Sequence, residues 1–411
     1  SASVTHITVD TNEVVRLARD LVAIESHSGA PGREAPIARF LVAWFRERGV
    51  DADFLPAVDG RPNVVARVDL GEGREPGPTL LLNGHLDTVP AGEMCDAFVP
   101  RLVDGVLWGR GACDMKGAVA AMCCVLAAVA QGVGSRGCRP APPTRSPAGV
   151  KPGGGRALLF AGTVDEETGS LGVKKLIESG LEADYAVVGE PTCLRAAIAH
   201  KGACFIRITL TGKGAHGSRP EKGVNAASYG ARILAALEDE LRPRLAERMY
   251  PLLGTSTVSV GRICGGTEPN IVAERCELDV DRRTLPGEPD VLGEVSELVA
   301  SICSGVDGLT YGVAEMDRTS IVPHVALGTP PDSRLAQACA AACREVEVPA
   351  EPVGVTYWTD GAHLAANGIE TVILGPGDIA DAHGPNDRVG VADLERAARI
   401  YLGIAHTLLR P

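Results

Sequence analysis

The chain has 411 residues, 45% of them hydrophobic and 22% charged, enough for two or three domains at roughly 100–200 residues each. A small disulfide-stapled module is therefore excluded, and 49 glycines and 28 prolines fall short of a disordered or collagen-like composition. Fifty-two acidic against 40 basic residues leave a net charge of −12, which repels nucleic acid and anionic membrane surfaces.

The opening SASVTHITVD has neither the basic stretch nor the apolar core of a secretory signal, so none is expected in this segment. From 12 to 50 the apolar spacing predicts two helices, the second closed by Gly49. Strands follow at 63–69 and 79–83, the latter running into Gly-His-Leu-Asp, so that His85 and Asp87 stand at a strand's carboxyl end. The apolar run 117–130 has 14 residues. A bilayer needs about 20, so it is read as a buried helix over 116–130, and no membrane span is expected.

The segment 131–156 holds five prolines, seven glycines, five basic residues and no acidic one, the composition of a flexible surface insertion. A strand at 156–162, a helix at 171–179 and a strand at 185–188 continue an alternation that argues for an α/β domain. From about Ala203 the order becomes strand, helix, strand, strand, helix, strand, the βαββαβ pattern of a compact ferredoxin-like domain. The α/β pattern resumes near Pro331. The expected organisation is therefore a discontinuous catalytic domain, 1–202 and 319–411, built on a mixed sheet flanked by helices and interrupted by the domain 203–318. The 12 cysteines form no CxxC pair, and in a chain with a generous core they are read as reduced thiols in a cytoplasm.

Candidate chemistry collects where predicted strands end: His85 and Asp87, Asp114, Glu166 and Glu167, Glu190, and His383. Open α/β sheets keep their sites at such ends, and imidazole with carboxylate is a ligand set for zinc and similar divalent ions. Any one of these residues alone is weak; the case rests on their joint occurrence.

In this order, LLNGHLDTVP, GRGACDMKG, DEETGS, VVGEPT, GKGAHGSRP, DRRTLPGE and AHGPND resemble the metallohydrolase family of acetylornithine deacetylase, succinyl-diaminopimelate desuccinylase, aminoacylase and glutamate carboxypeptidase. The resemblance spans almost the whole chain and agrees with the discontinuous domain. It implies two divalent metal ions per chain, usually zinc, with cobalt or manganese as alternatives. Asp114 would bridge both ions, His85 and Glu190 completing one ion's ligands and Glu167 and His383 the other's. Asp87 would accept the second N–H of the His85 imidazole, fixing its tautomer. Glu166 would carry the proton from the attacking water to the leaving amine.

The resemblance further implies that His216 hydrogen-bonds the tetrahedral oxyanion, and that Arg283 and Asn270 grip a substrate carboxylate, with Arg282 as the other candidate for the guanidinium. Gly375 and Gly377, in a glycine turn after the apolar run TVIL, would turn backbone N–H groups toward a ligand anion. Asp387 departs from the pattern, since many relatives carry Glu there, and its shorter side chain would alter any hydrogen bond near the metals. The expected reaction is hydrolysis of the amide of an N-acyl amino acid, a small molecule with a free carboxylate. A dipeptidase or glutamate-type carboxypeptidase is the alternative within the family. A non-hydrolytic or biosynthetic member is the reading from a different class. A homodimer formed through the βαββαβ domain is also implied.

Overall fold

In the computed structural model the described residues are 7–70, 77–134, 155–288, 290–316 and 324–410. Most of the glycine- and proline-rich segment 131–156 lies outside them. The chain divides into two compact units, one comprising 1–198, 329–353 and 359–411, the other 199–328 with 354–358.

The first unit is built on a mixed sheet. Its strands Ala157–Thr163, Thr79–His85, Tyr185–Val188 and Glu370–Ile373 lie side by side and parallel, and Arg61–Asp69 and Asp51–Val58 extend one side antiparallel. Leu80, Leu81 and Leu82 are all fully buried, because a central parallel strand covered on both faces must be a continuous apolar run. Register pairs His85 with Thr163, and both Asn83 and Ile373 with Val188. The carboxyl ends of four neighbouring strands thus finish at one edge of the sheet.

The helix Gly117–Gly134 packs against this sheet. It is apolar on every side, as a helix with no solvent face must be. The helical stretch Ala112–Val133 is long and apolar enough to cross a membrane, but 94% of that apolar window is buried inside the fold, which assigns it to the core. Helices Thr11–Val22, Arg334–Glu345 and Val391–Leu408 contribute their apolar faces to the same core.

In the second unit, strands Thr257–Gly265, Arg275–Thr284, Gly202–Thr211 and Thr310–Glu315 lie in that order and pair antiparallel throughout. Helices Ala226–Ala236 and Val291–Cys303 complete the βαββαβ order. Side chains alternate strictly along Arg275–Thr284, so that Cys276, Leu278 and Val280 meet Ile206, Ile208 and Leu210 in a separate core.

His200 is fully buried in this unit, its Nδ1 2.9 Å from the Lys201 carbonyl, and burial pushes its imidazole down to about 4. Between pH 6.5 and 4 the unfolded chain binds a proton there that the folded chain does not, so stability rises with pH across that window. Relative to His200→Gln, the wild-type unfolding free energy is expected to fall by up to about 1.4 kcal/mol per pH unit as pH drops from 6.5 to 4. Parallel pH profiles for the two proteins would show that His200 is not a buried neutral imidazole.

Candidate metal centre

The four parallel strands deliver their next residues to one place. His85 is the last residue of Thr79–His85, Glu166 and Glu167 follow Ala157–Thr163, Glu190 follows Tyr185–Val188, and His383 lies beyond Glu370–Ile373. Asp114 arrives from the turn Ala112–Lys116 that leads into the helix Gly117–Gly134.

The side chains converge as two groups that share one carboxylate: His85, Asp114 and Glu190, and Asp114, Glu167 and His383, with the ligand atoms of each group within 4.8 Å of one another. His85 Nε2 lies 2.9 Å from Asp114 Oδ1 and 3.8 Å from Glu190 Oε1. His383 Nε2 lies 3.1 Å from both Asp114 Oδ2 and Glu167 Oε1. The first group is buried, whereas the His383 side chain is 51% exposed, which leaves the second group open to solvent.

The electrostatics follow from crowding acids in a dry place. Burial, and then the charge of Asp114, holds Glu190 well above the usual carboxylate range, and burial with Glu190 does the same to Glu166. Burial works against protonation of His85, yet Glu190, Asp114 and Asp87 keep its pKa well above that of a free imidazole. Hydrogen bonds to Asp114 and Glu167 push His383 up to about 10. Such an excess of converging carboxylate, with imidazoles as the remaining donors, is the arrangement that a divalent cation satisfies. The residues therefore fit a metal pair.

Asp87 serves three of these residues at once. His85 Nδ1 lies 2.9 Å from the Asp87 backbone carbonyl and 3.6 Å from its carboxylate. The carboxylate oxygens instead accept the backbone N–H groups of Glu166, at 3.2 Å, and Glu167, at 3.0 Å. One residue thus orients His85 through its carbonyl and the two glutamates through its side chain.

Gly375 differs from expectation. Gly375 donates its N–H to Thr192 Oγ1 at 3.1 Å, so that N–H is taken and does not face a ligand. A Cβ there would sit 2.1 Å from the Gly189 carbonyl oxygen and 2.5 Å from that of Glu190, so Gly375 is required for close approach to the segment bearing Glu190. Gly377 has φ +87°, and a Cβ would lie 2.6 Å from Cys113 Sγ. Both glycines are accounted for by packing.

Asp387 ties the His383 loop to the Asp114 turn. Its Oδ2 accepts from Gly111 N at 2.7 Å and from Arg110 Nη1 at 3.1 Å, and its Oδ1 from Cys113 N at 2.8 Å. Arg110 continues to the Pro90 and Ala91 carbonyls.

His216, Asn270 and Arg283 belong to the second unit. His216 is exposed, with Nδ1 2.8 Å from Ser218 Oγ, and Gly217 N donates to the Asn270 carbonyl at 2.7 Å, so His216 and Asn270 are neighbours. The two arginines differ in burial. Arg282 is fully buried and paired with Glu288 and Glu294, whereas the part-exposed Arg283 lies against Asp281 and the Phe205 ring.

Several residues of the centre carry no sequence signal. Asp360, just before the helix Gly361–Ala366, is buried beside the site, accepts from Thr163 Oγ1 at 3.0 Å, and is pushed up to about 7 by burial. Lys116 is fully buried, donates to the Ile24 carbonyl at 2.7 Å, and is pushed down to about 7 by burial. Glu34, Arg61 and Arg110 read as ordinary surface charges until the fold buries them.

Residues 81–137 match the family described as Peptidase family M20/M25/M40, and residues 198–305 match a peptidase dimerisation domain. The chain is 31% identical over 401 residues to the acetylornithine deacetylase of Myxococcus xanthus, covering 94% of this chain and 95% of that protein. It is 30% identical over 407 residues to that of Pectobacterium atrosepticum, covering 95% and 97%. Among solved structures, the aminopeptidase PepT of Bacillus cereus has the same fold at a TM-score of 0.75 and 20% identity, covering 98% of this chain and all of that one. A dinuclear metal binding peptidase of Bacillus subtilis superposes at 0.70 with 16% identity, covering 97% and 98%.

Proposed function

The chain belongs to the M20/M25/M40 peptidase family, as a metallohydrolase of amide or peptide bonds, and we propose that its own reaction is deacylation of an N-acyl amino acid by a deacetylase- or desuccinylase-like route. The observation that carries this reading is the near end-to-end match to acetylornithine deacetylases.

In this reading His85, Asp114 and Glu190 hold one divalent cation and Asp114, Glu167 and His383 a second, zinc in the first instance and cobalt or manganese otherwise. When bound, such ions polarise a scissile carbonyl and acidify water. Glu166 belongs to neither ligand group and adjoins Glu167, so its carboxylate is free to take a proton from the attacking water and give it to the leaving amine. Asp87 keeps both glutamates in place through their N–H groups. His216 is assigned by its motif to donate to the oxyanion, and Arg283 with Asn270 to hold the substrate's free carboxylate. A cytoplasmic homodimer completes the reading, supported by the match to a dimerisation domain and by the free state of every described cysteine.

The test is elemental analysis of the purified protein, paired with amine release from N-acetyl, N-succinyl and N-formyl amino acids and from dipeptides, before and after chelation. About two metals per chain with chelator-sensitive release from an N-acyl amino acid is the expected result. Preferential cleavage of dipeptides would replace deacylase by peptidase. No metal after reconstitution would overturn the site.

A further inference from the structure

The geometry points to the buried ion cluster Glu34, Arg61 and Asp165 as the device that positions the Glu166–Glu167 pair, an inference that rests on the roles proposed above for those two glutamates. The three residues come from distant parts of the first unit. Glu34 immediately precedes the helix Ala35–Glu47, Arg61 opens the strand Arg61–Asp69, and Asp165 lies two residues beyond Ala157–Thr163. Arg61 Nη1 stands 3.0 Å from both Glu34 Oε1 and Asp165 Oδ1.

Asp165 is fastened at every polar group it has along the backbone and at one carboxylate oxygen. Its N–H donates to Glu34 Oε1 at 3.2 Å. Its Oδ1 also accepts from Thr168 Oγ1 at 2.8 Å and Arg33 Nη2 at 3.3 Å. Its carbonyl accepts from Gly169 N at 2.8 Å and Ser170 N at 2.6 Å. These bonds hold Asp165 at φ +69°, in the left-handed region that a residue with a side chain rarely adopts. The next two N–H groups are those captured by the Asp87 carboxylate. The turn is therefore gripped from both sides, by the ion cluster at Asp165 and by Asp87 at Glu166 and Glu167.

Stability alone gives little reason for such a cluster. Two carboxylates with the guanidiniums of Arg61 and Arg33, taken from water, cost about what they regain, and apolar residues of the same volume would join these segments as well. Apolar side chains could not accept the Asp165 N–H or hold its carboxylate, and those are the contacts that set the direction in which the chain enters Glu166 and Glu167.

Arg61→Met removes the more closely held and more buried of the two guanidiniums that Glu34 and Asp165 share, leaving Arg33. Its expected effect is a roughly 10–100-fold loss of zinc affinity at the group containing Glu167, with the group containing His85 and Glu190 little changed, and a comparable fall in kcat at near-constant KM. Zinc titration calorimetry reads the two affinities apart from activity. Arg61→Lys should recover most of both losses. Should Arg61→Met not fold, Thr168→Val, which deletes one part-buried hydroxyl contact to Asp165, is expected to lower the same affinity and kcat a few-fold. Glu167→Ala serves as the reference. If it retains both zinc ions, the assigned ligand role fails and the inference falls with it. If it loses one while Arg61→Met and Thr168→Val keep wild-type zinc affinity and kcat, the inference alone is overturned, and a lowered Tm in those variants would mark the cluster as structural.

Discussion

Glu166→Gln is expected to lower kcat by roughly 10²–10⁴-fold while zinc content and KM stay near wild type. The substitution keeps the size of the side chain and the backbone N–H that Asp87 holds at 3.2 Å, so the only property removed is the ability to take a proton. Neither ligand group includes Glu166, which separates this variant from Glu167→Gln, where loss of metal should accompany loss of rate. Glu166→Asp, which shortens the side chain but retains the carboxylate, should recover part of the rate. The measurement is steady-state amine release alongside metal analysis of the same preparation. A wild-type kcat in Glu166→Gln would remove Glu166 from the mechanism, and a simultaneous loss of zinc would reassign it as a ligand.

Arg110→Met is expected to have the largest effect on stability, about 3–5 kcal/mol, because it strips the cation from a buried pair. Arg110 and Asp387 are each 1% exposed, and the guanidinium also donates to the Pro90 and Ala91 carbonyls, which would lose their partner as well. The pair joins the loop bearing His383 to the turn bearing Asp114, so weaker zinc binding at the group they share should accompany the lowered denaturation midpoint. Arg110→Met combined with Asp387→Leu removes the stranded carboxylate and should regain part of the loss. Chemical denaturation of the three proteins, with zinc titration of those that fold, makes the comparison; a cost below about 1 kcal/mol would place the pair among ordinary exposed ion pairs.

Asp387 uses both carboxylate oxygens in this join. Its two oxygens already reach Gly111 N, Cys113 N and Arg110 Nη1. Every one of these partners lies in or beside the Asp114 turn.

Much of the centre could be read from the amino-acid order, because periodicity and strand-end chemistry are local. An apolar run such as Leu80–Leu82 between turn signals reads as a covered strand, and the residues after such strands in a parallel sheet collect at one edge. Strand-end chemistry therefore marked His85 and Asp87, Asp114, Glu166 and Glu167, Glu190 and His383 as candidates, the family resemblance singled out five of them as expected ligands, and the strand–helix order after Ala203 pointed to a second domain. Tertiary structure alone decided who touches whom across long separations. Asp87 spends its carboxylate on the Glu166 and Glu167 amides, Gly375 gives its N–H to Thr192, and Arg282 is buried while Arg283 keeps a guanidinium partly in solvent. The Glu34–Arg61–Asp165 and Arg110–Asp387 contacts join positions with no common periodicity, since burial of a charge is set by sheet order and loop packing, and neither is written in the local spacing of apolar residues.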